Sequence, residues 1–189
     1  MAAIDVHGYV ADLKAHAAEH GFHIHDERHF VETYSLRQRW EVDLHPEEAC
    51  NGPIDLHLAI EVDPRVLLAF EDAVTDLAED EDPPGDFQLP IQFTWALPPL
   101  PHGPDLLVAA TELAGIGGAS LPLEVSALDS FPVVTDAPER RLTVTTTLAV
   151  NLGAILDGEE MLCDTFEACR KVSAYLLERA PDWIGDSAT

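Results

Sequence analysis

Two hydrophobic periods alternate along this chain. Between Asp5 and His20 the apolar residues Val6, Tyr9, Val10, Leu13 and Ala17 recur at steps of three and four, the spacing of one helix face, and Gly21 stands where a helix stops. From Leu36 the period becomes two. Leu36, Trp40, Val42 and Leu44 face one way and Arg37, Arg39, Glu41 and Asp43 the other; Ile54, Leu56, Leu58, Ile60 and Val62 then alternate with Asp55, His57, Ala59, Glu61 and Asp63. Pro46 and Asn51-Gly52-Pro53 lie between the two runs and predict an antiparallel hairpin with a longish loop. Pairing Leu44 with Ile54 sets Arg37 opposite Glu61 and Glu41 opposite His57.

Asp63-Pro64 is an N-cap followed by a proline at the first helical position, and Val66, Leu67, Phe70, Val74 and Leu77 form the stripe of a second helix. The acidic, proline-broken stretch from Glu79 to Asp86 ends it. Leu89, Ile91, Phe93, Trp95 and Leu97 predict a strand closed by Pro98-Pro99, with Trp40 and Trp95 facing the core. The loop 97–104 carries four prolines and reads as exposed and semi-rigid. A short helix over 104–114 is expected to bury Leu106, Leu107, Ala110 and Leu113, and 115–122 reads as loop. Strands are expected at 131–135 and 141–150 around a turn at 136–139. A long amphipathic helix over 158–180, with Leu162, Phe166, Cys169, Ser173, Leu176 and Ala180 on its apolar face, is expected to stop at Pro181.

Hairpins argue for antiparallel pairing, so the pattern predicts an α+β fold. It is a single domain over 1–189, with a mainly antiparallel sheet of about five strands in two hairpins covered by about four helices. The hairpin-then-helix unit occurs at 36–80 and again at 131–180, which reads as a weak internal duplication.

Charge changes the picture. The chain holds 35 Asp and Glu against 10 Lys and Arg, a formal net charge of -25 on 189 residues. Lys14 and Lys171 are its only lysines, and no Lys or Arg lies between Arg65 and Arg140. Such a field repels nucleic acid and anionic lipid, while favouring metal cations, basic protein partners or a salty solvent. The N-terminus has no basic region before an apolar run, and no segment approaches the roughly 20 apolar residues of a membrane span, so a cytoplasmic protein is expected. Cys50, Cys163 and Cys169 form no CxxC pair and predict no disulfide framework; Cys163 and Cys169 read as small core-facing residues.

The sharpest local motif is His16-Ala17-Ala18-Glu19-His20, in which two histidines lie one helical turn apart. These five residues resemble the H-x-x-E-H motif of inverzincin metalloproteases; the resemblance implies zinc held by His16 and His20, with Glu19 activating water. A downstream Glu ligand of that family is not identifiable. His23 and His25 follow on an extended segment and complete the candidate metal ligands, for zinc or another divalent metal. Gly115-Ile116-Gly117-Gly118 follows a helix rather than a strand and lacks a nearby Lys or Arg, so it does not suit a phosphate.

Two functions follow. The first is a non-catalytic interaction or regulatory protein without cofactor, monomeric or a homodimer, that binds a basic protein partner through Glu71, Asp72, Asp76, Glu79, Asp80, Glu81, Asp82 and Asp86. The alternative is a metal-binding protein or zinc-dependent hydrolase built on His16, Glu19 and His20.

Overall fold

The computed structural model describes residues 4–185 except 76, 79, 80, 132–138, 160 and 161. Helix α1 (Val6–Glu19) leads into β1 (Phe22–Val31), β2 (Gln38–Pro46), a 3-10 turn (Glu47–Ala49) and β3 (Asp55–Val62). There follow α2 (Pro64–Thr75), β4 (Gln88–Ala96), α3 (Leu106–Gly117), β5 (Glu124–Ser130), β6 (Glu139–Asn151), α4 (Leu152–Leu156) and α5 (Cys163–Ile184). The strands form one six-stranded sheet in the order β1-β2-β3-β4-β6-β5, antiparallel throughout. The α+β class is as expected, with one strand and one helix more.

The core follows from strand alternation. Leu56, Leu58, Ile60 and Val62 of β3 and Leu89, Ile91, Phe93 and Trp95 of β4 are buried in inward rows. Val10, Phe70, Leu113, Leu152 and Val172, one from each helix in turn, join them in a single cluster. Each fully buried Leu, Ile or Phe contributes about 1.5–3 kcal/mol. The opposite face, with Arg39, Glu41, Asp43, His57, Gln92 and Thr94, stays polar and half-exposed.

Local rules explain the helix ends. The Asp5 carboxylate accepts from the Gly8 N–H at 2.9 Å and caps α1. At the other end Gly21 takes φ +79°, a left-handed conformation that reverses the chain between helix and strand. Asp105 caps α3 in the same way through the N–H groups of Leu107 and Val108.

Several elements differ from expectation. Strand β1 was not predicted: as an edge strand with Phe22 its only buried residue, it shows no alternation to read. The register of β2 on β3 is two residues from the expected one, because the 3-10 turn lengthens the loop; Arg39 stands opposite Glu61 and Asp43 opposite His57. Arg39, in place of the expected Arg37, pairs with Glu61, and His57 Nδ1 lies 2.6 Å from Asp43, in place of Glu41. The strand that forms a hairpin with β6 is β5, ahead of the predicted 131–135; that prediction and the turn at 136–139 fall largely outside the described residues. Helix α3 runs to Gly117 and leaves Leu107 exposed. The proline loop is tied down, with Leu97 and Leu100 buried and the Leu100 N–H donating to the Arg140 carbonyl at 2.7 Å. Helix α5 begins later than predicted and runs through Pro181, whose missing N–H forgoes one backbone bond; Gly185, at φ +73°, ends it.

Candidate metal centre

His16 and His20 lie one turn apart on α1, so both imidazoles leave the same helix face. Their Nε2 atoms are 3.2 Å apart. The first residue of α5, Cys163, is exposed rather than buried in the core, and brings its Sγ to 2.9 Å from His16 Nε2. All three donor atoms lie within 4.8 Å of one another. Behind them Phe166, fully buried one turn into α5, packs its ring against both imidazoles and against Phe22 and Phe93. That apolar wall fixes both rings. Leu162, immediately before the thiol, adopts φ +56°, a left-handed conformation uncommon for a leucine.

A second group forms across β1 and β2. His23 stands opposite His45 in the ladder, while His25 is the extra residue of a bulge between Ile24 and Asp26. The bulge stacks His25 on His45, with ring centroids 4.1 Å apart. His25 Nε2 is 3.0 Å from His45 Nε2. Cys50, at the end of the 3-10 turn, places Sγ 3.0 Å from His23 Nδ1 and 3.2 Å from His45 Nε2. Burial, reinforced by His25 and His23, lowers the His45 pKa and favours the neutral, metal-ligating ring.

Hydrogen bonds alone do not account for either group. An imidazole nitrogen offers one in-plane position, either a lone pair or an N–H. His16 Nε2 nevertheless faces both Cys163 and His20, and His45 Nε2 faces both Cys50 and His25. One ion placed among the donors would satisfy all of these contacts together. Tetrahedral zinc with bonds of about 2.0–2.3 Å separates its ligand atoms by about 3.3–3.8 Å; the contacts above, at 2.9–3.2 Å, are closer than that, while all donor pairs among His16, His20 and Cys163 lie within 4.8 Å.

Each group also has a carboxylate behind a histidine. Glu19 Oε2 lies 3.3 Å from His16 Nδ1, and Glu47 Oε1 lies 3.5 Å from His23 Nε2. Such partners orient the ring and strengthen its far nitrogen as a ligand. Glu19 therefore sits on the back of His16, on the side of the ring away from the converging donor atoms.

The four histidines anticipated from the sequence thus divide in two: His16 and His20 come together, and His23 and His25 form part of the other group. Sequence reasoning missed His45, Cys50 and Cys163. The spacing His45-x4-Cys50 at a strand end was the available signal for two of them, whereas Cys163 is brought in by tertiary packing from 147 residues away. Of the anticipated acidic surface, Asp76, Glu79 and Asp80 lie outside the described residues. Glu71, Asp72, Glu81, Asp82 and Asp86 form no ion pair among the described residues, in contrast to the acids of β1–β3.

No family model matches the chain, and no curated protein or solved structure is similar enough to be matched to it. Among the described residues, no helix is long and apolar enough to cross a membrane.

Proposed function

We propose that this chain is a non-catalytic transition-metal-binding protein whose principal centre is His16, His20 and Cys163, loaded with zinc or a similar borderline divalent ion. The observation that carries this reading is the position of His16 Nε2, within 3.2 Å of both a thiol and a second imidazole. Mixed nitrogen and sulfur donors suit zinc, and a net charge of -25 raises the local concentration of any cation. Three protein donors leave a fourth position to water or an outside ligand, beside the cleft lined by Ser120, Glu159 and Thr165. The thiols of Cys50 and Cys163 must stay reduced to serve as ligands, which fits a cytoplasmic location. Elemental analysis of tag-free protein should find stoichiometric metal, and His16→Ala or His20→Ala should lose one equivalent of it. Metal-free protein that takes up no zinc would refute the reading.

The acidic surface supports a second role, recruitment of a basic protein partner, because Glu71, Asp72, Glu81, Asp82 and Asp86 have no ion-pair partner among the described residues. Binding of a basic peptide should then weaken steeply with ionic strength. Affinity that stays level across a wide salt range would exclude it.

A further inference from the structure

We propose that His23, His25, His45 and Cys50 form a second, separate zinc site, a closed four-donor centre that staples the 3-10 turn to the edge of the sheet. The inference rests on the reading of this chain as a metal-binding protein, and concerns a different set of donors from the principal centre.

The geometry is built by three independent local features. His23 and His45 are cross-strand partners, so their side chains leave the same face of the β1–β2 ladder. The bulge then turns His25 toward that face, where regular alternation alone would not bring it to stack on His45. The 3-10 turn carries Cys50 back over the strands, anchored by the Glu47 N–H donating to the Gly21 carbonyl at 3.1 Å and by Arg170 Nη2 donating to Glu48 at 2.5 Å. Cys50 Sγ then bridges two imidazoles, and His45 Nε2 bridges Cys50 and His25. His23, His25 and His45 bring one ring nitrogen each within 4.8 Å of one another, and Cys50 Sγ, in contact with two of these rings, would close the set as the fourth donor when the ion binds, leaving no position for substrate. When the sulfur–zinc bond forms, the Cys50 thiol releases its proton to solvent. Glu47 holds His23 from behind, as Glu19 holds His16.

The site has a structural consequence. Strand β1 is an edge strand with mostly exposed residues, paired among the described residues to β2 alone. Zinc would tie His23 and His25 of that edge to Cys50 of the loop, stiffening both without any contribution from the core.

Zinc titration of the chelator-stripped full chain, with circular dichroism to confirm folding, tests the proposal. The wild type should bind two equivalents. His16→Ala/His20→Ala should keep one, held by the four donors, and His45→Ala/Cys50→Ser should keep the other. If His45→Ala/Cys50→Ser still binds two equivalents, the second site is refuted. If the wild type binds one equivalent, lost only in His16→Ala/His20→Ala, the second site fails while the principal centre stands; one equivalent lost only in His45→Ala/Cys50→Ser supports the second site and refutes the principal one. Cys50→Ser alone provides a milder variant: with cobalt in place of zinc, the sulfur-to-cobalt absorption should fall to about half that of the wild type, one thiolate of two remaining. An unchanged band would overturn the assignment.

Discussion

The indole N–H of Trp95 donates to Ser173 Oγ at 2.9 Å, with both residues fully buried between β4 and α5. The bond joins the centre of the sheet to the helix whose first residue is Cys163. It therefore helps fix where α5 begins relative to α1. Ser173→Ala leaves the indole donor buried without a partner, a loss of about 1–3 kcal/mol. Urea unfolding should show the midpoint moving down with an unchanged slope.

Glu19 is expected to act through His16 rather than on water. Glu19→Ala should weaken zinc binding by about 10–100-fold, the usual effect of losing a carboxylate behind a metal-bound histidine. His16→Ala should abolish binding at that centre. A competition titration with a coloured chelator measures both; equal losses in the two variants would contradict the positioning role.

The three cysteines should differ in reactivity. Cys169 is fully buried, and burial pushes its thiol well above the usual range, so it should resist alkylation in the native protein. Cys163 is exposed and Cys50 half-buried, and both should react. Zinc should protect these two. Mass spectrometry after a short alkylation pulse reads each site; rapid labelling of Cys169 in the folded chain would show the core to be packed differently.

Tyr175 provides a pH test remote from the metal donors. Burial, with a hydrogen bond to Glu112 at 2.5 Å and that carboxylate's charge, pushes its phenol up to about 12. Because the folded value is raised, the stabilisation is present below pH 10, the ordinary tyrosine value, and is lost as pH rises from there toward 12. Tyr175 should contribute a late-titrating component to the phenolate absorbance, and Glu112→Gln should bring that component back toward 10. A late tyrosine unaffected by Glu112→Gln would assign the shift to another cause.

The helices and central strands were legible because their stripes are clean: Val6 to Ala17 on α1 and Leu56 to Val62 on β3 are buried as spaced. Strand β1 was not, since an edge strand exposed on both faces has no hydrophobic alternation. The β2–β3 register escaped because turn length sets it, and the 3-10 turn gave no local signal. For the candidate site, the His16/His20 pair could be read from helical spacing alone. Cys163 could not, because only the packing of α5 against α1 through Phe166 brings it there. His25 needed the bulge, a backbone irregularity that residue identity does not announce.

X-ray absorption at the zinc edge of His45→Ala/Cys50→Ser protein carrying one equivalent of zinc tests the central claim most directly. The account predicts one sulfur at about 2.3 Å and two imidazole nitrogens at about 2.0–2.1 Å, with a light atom in the fourth position, and loss of the sulfur shell on adding Cys163→Ser. A shell of oxygen and nitrogen without sulfur, or a spectrum that Cys163→Ser leaves unchanged, would contradict it.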